Sequence, residues 1–159
     1  MEAAGWAQAL QDSGFAAAVR GGANVYPLVN VLHILGVGLI VGSILALDFR
    51  ILGFTKSVPL SGASQLLTPF TVAGLFIAIP SGFALYASDA VSLSNSRLMW
   101  VKLALIAIGI ANALLFRKLW RARLAAWDLN AAILGKGQAI LSIAIWITVP
   151  VLGRLIAYL

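Results

Sequence analysis

Long apolar stretches alternate with short polar segments along this chain. Four of these stretches are long enough to cross a bilayer, which needs about 20 mainly apolar residues, and they cover 26–47, 66–87, 99–116 and 139–159. None shows the period-two alternation of a membrane β-barrel, and in lipid a helix is the other way to satisfy every backbone group. The pattern predicts an all-α fold, an integral membrane four-helix transmembrane bundle.

The segments between these stretches are too short to form a second domain, so residues 1–159 are predicted to be a single membrane domain. In residues 1–22, Trp6 and Leu10 lie one helical turn apart, which predicts an N-terminal interfacial helix on the membrane surface. Residues 117–137 place apolar and basic side chains on opposite helical faces. We expect this basic amphipathic segment to lie on anionic lipid, although a helix that docks on a protein partner has the same pattern.

Composition supports the membrane assignment and gives an orientation. Hydrophobic residues make up 62% of the chain and charged residues 10%, against about a quarter charged in soluble domains. Lys and Arg are more frequent in the first and third loops than in the rest of the chain. The positive-inside rule therefore predicts a multi-pass protein with both termini outside. The net charge of +6 is explained by this topology and by membrane lipid, so no nucleic acid partner is expected.

His33 is the single histidine, and the chain has no cysteine. The lack of cysteine excludes disulfides, c-type haem attachment, iron–sulfur clusters and thiolate zinc sites. Non-covalent haem, quinone, lipid and imidazole–oxygen metal sites stay open. His33 is therefore the one candidate imidazole ligand for a metal.

His33 shares a stripe of the first apolar helix with Tyr26 and Asn30, because these residues recur at helical spacing. Gly38 and Gly42 form a G-x-x-x-G on nearly the opposite side, a spacing that lets another helix approach closely. We expect His33 to face the interior of the bundle, in its outer half.

Other polar and aromatic side chains are predicted at the same depth as His33. Ionisable groups inside a membrane are costly and are usually paired or functional. The predicted cofactor-binding set is His33, Asn30, Tyr26, Tyr86, Trp100, Lys102 and Arg154. In the inner half, Asp48 and Arg50 are expected to pair with each other, and Asn112 to hydrogen-bond a neighbouring helix. We interpret those three as structural.

The chain resembles small bacterial four-helix membrane proteins of unassigned function, whose first helix carries LHxxGxGxxxGxxxxxDxRxxG. The matching residues are Leu32, His33, Gly36, Gly38, Gly42, Asp48, Arg50 and Gly53, with Trp100, Lys102 and Asn112 in the third helix. More distantly, the chain is similar to HemJ-type protoporphyrinogen oxidases and to the membrane domain of CopD-type copper proteins. The likeness implies a bacterial inner membrane with periplasmic termini, and His33 as an axial haem ligand with Lys102 nearby.

Two functions are compatible with these residues. One is the binding of b-type haem or quinone through His33 in a redox-related role, with nearby cations to neutralise haem propionates. The alternative is a non-catalytic accessory or scaffold subunit of a larger membrane complex or a homo-oligomer. His33 can also serve simply as an interhelical hydrogen-bond donor. No specific reaction follows from the sequence.

Overall fold

A computed structural model describes residues 5–156 and residue 158. Within that part of the chain the fold is all-helical, with seven α-helices and one 3-10 segment. They are α1 (Gly5–Gln11), α2 (Gly14–Gly21), α3 (Val25–Leu52), α4 (Leu60–Ser88), α5 (Ala90–Asn95), α6 (Arg97–Trp120), the 3-10 segment (Arg121–Ala126) and α7 (Ile133–Ile156).

The long helices α3, α4, α6 and α7 are long and apolar enough to cross a membrane, with mean hydropathies between 1.7 and 2.3 in their best windows. The prediction of four such helices is therefore confirmed. The first three extend beyond their predicted ranges at both ends, and the fourth begins at Ile133, before its predicted start at residue 139. Positions 157 and 159 of the predicted fourth span, and positions 1–4 of the predicted surface segment, lie outside the described residues.

Local sequence signals set the helix ends. Gly53 ends α3 with a φ of 106°, a left-handed conformation that glycine adopts without a steric penalty. The N–H of Phe54 then donates to the carbonyl of Phe49 at 3.1 Å, which closes the helix end. Ser96 caps α6 by accepting from the N–H of Met99 at 3.4 Å. Pro59 precedes the first turn of α4.

Helix α3 lies at the centre of the bundle, between α4 and α7. Its backbone touches that of α4 at two glycines: a Cβ on Gly36 would lie 2.8 Å from the amide nitrogen of Ala78, and one on Gly74 would lie 2.7 Å from the Gly36 carbonyl oxygen. Helix α6 is arranged differently. Among the long helices, its backbone comes close to α7 alone, which leaves a cleft between α4 and α6.

The described part of the N-terminal segment forms the two short helices α1 and α2, which pack on α4 and α5. Trp6 stacks on Tyr86 with ring centroids 6.5 Å apart, and Phe15 stacks on Phe83 at 6.0 Å. Its predicted place on the membrane surface stays a prediction, because these contacts join it to the bundle and say nothing of lipid.

The segment after α6 folds back over the end of the bundle where α3 ends and α4 begins, which is the predicted inner end. Trp127 is fully buried there, and its Nε1 donates to the carbonyl of Ile51 at 3.0 Å. Arg50 of α3 donates to both carboxylate oxygens of Asp128 and, through Nε, to the carbonyl of Val58 at 2.5 Å. We call this arrangement of Arg50, Trp127 and Asp128 the clasp. The apolar side of the segment predicted to lie on lipid thus packs, at Trp127, on the chain itself.

Candidate ligand-binding site

His33 is half-buried in the contact between α3 and α4. Its Nδ1 lies 3.0 Å from the carbonyl oxygen of Ala78 and 3.2 Å from the hydroxyl of Ser81. A carbonyl oxygen only accepts, so Nδ1 carries the proton and Nε2 keeps its lone pair. The ring packs on Gly82, where a Cβ would lie 2.8 Å from its Cε1. His33 therefore joins α3 to α4 by a hydrogen bond.

The two basic residues of the predicted cofactor-binding set, Lys102 and Arg154, contact residues in or next to α7. Arg154 donates to the hydroxyl of Tyr158 at 2.5 Å and lies over that ring, with 4.8 Å to its centroid. Lys102 extends along α7, where a Cβ on Gly153 would lie 3.1 Å from its Nζ. Lys102 is nevertheless close enough for its charge to act on the His33 imidazole, as expected from the sequence, whereas Arg154 is engaged by Tyr158. The haem hypothesis itself stays a prediction from the sequence.

The uncharged members are also spread over the outer half. Trp100 is half-exposed and its Nε1 donates to the carbonyl of Ser94 at 2.8 Å. Tyr86 forms the stack with Trp6. Tyr26 is exposed and Asn30 is half-buried, on the same side of α3 as His33. None of the seven predicted residues lines either of the two cavities described below.

A cavity of about 210 Å³ lies instead in the inner half, between α3, α4, α6 and α7. Most of its wall is apolar, formed by residues such as Ile44, Leu75 and Ile110. Polar side chains interrupt that wall on every helix. They are Asp48 on α3; Ser64, Thr68 and Thr71 on α4; Asn112 and Arg117 on α6; and Gln138 and Ser142 on α7. We call this space the inner cavity.

Two residues that line the inner cavity each carry a polar atom without a hydrogen-bond partner. Asp48 Oδ2 and Trp146 Nε1 are buried, and neither makes a hydrogen bond within the described part of the chain. Their residues are 6% and 4% exposed. A buried polar group left without a hydrogen bond costs about 1–3 kcal/mol. Both residues line the same cavity, which makes the inner cavity the candidate ligand-binding site.

The prediction that Asp48 pairs with Arg50 is wrong. Residues two positions apart lie on opposite sides of a helix, so Arg50 reaches Asp128 while Asp48 faces α7, with the Ser142 hydroxyl close to its carboxyl. The prediction for Asn112 is confirmed, since its Nδ2 donates to the carbonyl of Gln138 on α7 at 3.0 Å. A sequence signal for Asp48 did exist. It continues the helical stripe of Ile40 and Ile44, both of which are buried.

A second cavity of about 390 Å³ adjoins the inner cavity at the end of the bundle that carries the clasp. The two share Ser64, Thr68, Arg117 and Leu124 as lining residues. The other residues that line the second cavity are Ser61, Gln65, Pro69, Arg121, Ala122 and Ala125. We call this cavity the basic pocket. The basic pocket is therefore more polar than the inner cavity, and its two charged lining residues, Arg117 and Arg121, are both cationic.

The clasp also fixes the charge of Asp128, which lies outside the apolar helices. Its hydrogen bonds to the Arg50 guanidinium, and then the positive charges of Arg50 and Lys56, hold the pKa of this carboxyl below its usual range. Asp128 is thus an anion at neutral pH and the ion pair is fully formed.

No group of three or more His, Asp or Glu side chains that could hold a metal ion occurs among the described residues. No protein-family model matches the chain, and no curated protein or solved structure shows a significant likeness to it. The resemblance to the four-helix and HemJ-type proteins therefore stays a prediction from the motif residues.

Proposed function

We propose that the chain is a multi-pass protein of the bacterial inner membrane, with both termini periplasmic, and that it binds a quinone-class molecule in a redox-related role. The binding site we propose is the inner cavity and not the surroundings of His33. One observation carries the proposal. Two residues that line the same largely apolar cavity, Asp48 and Trp146, each carry a buried polar atom without a partner, Oδ2 and Nε1 respectively.

The two groups suit a ligand that exists as a quinone and as a quinol. The indole Nε1–H of Trp146 is a donor only, so it pairs with a quinone or quinol oxygen. The carboxyl of Asp48 accepts from a quinol hydroxyl when ionised and donates to a quinone carbonyl when protonated. Pockets for such ligands are typically apolar with a few well-placed polar groups, and the wall of the inner cavity has that composition.

The cleft between α4 and α6 provides a route from the bilayer. Val72 on α4 and Leu114 on α6 line the cavity and are 43% and 64% exposed. Their exposed faces are apolar, so in a membrane they would contact acyl chains. A quinone dissolved in the bilayer would therefore reach the cavity without passing through water.

The test is a titration of the purified full chain in mild detergent with a short-chain quinone, followed by calorimetry. We expect saturable binding that becomes about tenfold weaker or more in Trp146→Phe and in Asp48→Leu, since each removes one hydrogen bond to a desolvated ligand. His33→Gln is the matched control and is expected to bind as the wild type does. Loss of binding in His33→Gln alone would move the site to the outer half, and absence of binding to the wild type would overturn the proposal.

A second candidate function is a non-catalytic subunit of a larger membrane assembly. It is favoured by Gly38 and Gly42 on α3, which are exposed and where an added Cβ would meet nothing within 4 Å. A free G-x-x-x-G face allows another helix to pack closely in a membrane. Co-purification of a stoichiometric protein partner, without quinone binding, would favour this candidate over the first.

A further inference from the structure

The basic pocket is the part of the molecule that the quinone proposal leaves unused. It lies where the first turns of α4 meet the last turn of α6 and the 3-10 segment. This is the end of the long helices that the positive-inside rule assigns to the cytoplasm. We propose that this pocket binds the phosphate headgroup of an anionic phospholipid from the cytoplasmic leaflet.

Charge is the first argument. Arg117 and Arg121 both line the pocket, and no acidic residue lines it. Arg50–Asp128 is the one ion pair within 5–156 and 158, so neither of these arginines is neutralised by a carboxylate of the described chain. Guanidinium groups bind phosphate oxygens through paired hydrogen bonds of defined geometry. The pocket therefore has an excess of positive charge suited to a phosphate.

The uncharged lining adds hydrogen-bonding groups. Ser61, Ser64 and Thr68 contribute hydroxyls and Gln65 contributes an amide, all from the start of α4. Hydroxyls and amides donate to phosphodiester oxygens and to headgroup hydroxyls. A volume of about 390 Å³ leaves room for a headgroup beyond the phosphate itself.

The apolar surroundings favour a lipid over a soluble anion. Pro69 and Leu124 form part of the pocket wall, and the neighbouring Leu66 and Phe70 on α4 are 64% and 48% exposed. Acyl chains that leave a headgroup in the pocket can run along these side chains toward the middle of the bilayer. Anionic lipid is also abundant at the cytoplasmic surface, where basic clusters concentrate it.

This inference shares with the quinone proposal the insertion in a membrane and the predicted orientation, but the hydrogen-bonding groups differ. The phosphate is assigned to Arg117 and Arg121, and the quinone oxygens to Asp48 and Trp146. The experiment titrates the full chain in mild non-ionic detergent with phosphatidylglycerol or phosphatidylcholine, and native mass spectrometry counts the bound lipid. Saturable binding is expected for phosphatidylglycerol, with phosphatidylcholine about tenfold weaker or more.

The double variant Arg117→Gln/Arg121→Gln is expected to lose that preference, about a tenfold loss or more in phosphatidylglycerol affinity. Its matched control is Lys56→Gln/Lys118→Gln, which removes the same charge from the same end but no residue that lines the pocket. The control is expected to keep the preference. An equal loss in both double variants would mean general electrostatic attraction and would overturn the site.

Three further readouts keep the proposal open to contradiction. Ser61→Leu narrows the pocket without a charge change and is expected to weaken phosphatidylglycerol binding even if the arginine variant fails to fold. Displacement of the lipid by millimolar inorganic phosphate would identify a soluble-anion site and overturn the lipid assignment. The quinone titration repeated on Ser61→Leu, a residue that lines the basic pocket and not the inner cavity, is expected to be unchanged, so either proposal can fail while the other stands.

Discussion

Gly36 and Gly74 are the residues on which the packing of α3 against α4 depends most directly. Each lies against backbone atoms of the opposite helix, and backbone cannot move aside as a flexible side chain can. In a membrane, close approach of this kind replaces the hydrophobic effect as a source of helix association. Gly42 on the same helix is exposed and has open space around it, so it provides a natural comparison.

We expect Gly36→Ala to lower the free energy of unfolding by about 1–3 kcal/mol, because the added methyl group overpacks a tight contact. Gly42→Ala is expected to be neutral or to stabilise by about 0.5–1 kcal/mol, since alanine favours the helix. Unfolding in mixed micelles with increasing denaturing detergent measures both. Equal effects of the two substitutions would contradict the importance of the Gly36 contact.

His33→Ala tests the role that the structure gives to the histidine. It removes the hydrogen bond to the Ala78 carbonyl, and we expect a loss of about 1 kcal/mol in the same unfolding assay. Asn30→Ala, one turn earlier and also half-buried, is the control and is expected to change stability less.

Absorption spectra of the wild type and of His33→Ala, with and without dithionite, test the haem hypothesis separately. A Soret band in the wild type that His33→Ala loses would establish a haem site on this imidazole.

At the scale of elements, the clasp joins the segment after α6 to the inner end of α3. Arg50 is 4% exposed, so its charge depends on the Asp128 carboxylate and the Val58 carbonyl for compensation. Trp127 adds a buried indole between α3 and α7, against Ile51 and Ala139. Ile51, Ala139 and Leu124 also line the inner cavity. The clasp therefore packs against one end of that cavity.

The clasp predicts a specific acid sensitivity. The pKa of Asp128 is lower in the folded state than the ordinary aspartate value near 4, so its contribution to stability is fully present above about pH 4 and is lost as the pH falls through the folded value. We expect thermal stability in detergent to drop below about pH 4 more in the wild type than in Asp128→Asn. At neutral pH Asp128→Asn should be the less stable of the two. Parallel pH profiles would contradict this.

Helix ends were harder to predict than helices. The prediction ended the first span at residue 47 because Asp48 and Arg50 are charged, yet α3 continues to Leu52. Arg50 tolerates that position because Asp128, 78 residues later in the chain, compensates it. A partner so distant in sequence leaves no periodic signal. The second span is likewise predicted to begin at residue 66, after the turn residues Ser61, Gly62 and Ser64, although residues 60–65 form the start of α4.

For the whole molecule, hydrophobic patterning was sufficient to find the four long helices, because their apolar lengths depend on nothing outside each segment. The candidate site needed more. Asp48 and Trp146 lie on α3 and α7, and only the packing of those helices puts both in one cavity wall. Ionisable residues at the depth of His33 indicated a site in the outer half instead. There Lys102 is within electrostatic range of His33, while Arg154 and Trp100 bond to other partners.

The predicted topology can be measured directly because the natural chain has no cysteine. Single substitutions Lys56→Cys and Asp12→Cys, both at exposed positions, are labelled in intact cells and in inverted vesicles with a membrane-impermeant maleimide. We expect Asp12→Cys to react in intact cells and Lys56→Cys only in inverted vesicles. The reverse pattern would place the loops rich in Lys and Arg outside and would contradict the orientation.

The one-sided attachment of α6 has a consequence for kinetics. Because α7 is the one long helix whose backbone comes close to that of α6, a movement of α6 about that contact would preserve the backbone contacts of α3 with α4 and α7. Such a movement would widen or narrow the cleft beside α4 and would shift Ile110, which packs against the buried cluster of Ile40, Ile44, Ala78 and Trp146. The residence time of a molecule in the inner cavity would then be governed by this lateral gate, and a cross-link between α4 and α6 would slow its exchange with the bilayer while leaving its contacts with Asp48 and Trp146 intact.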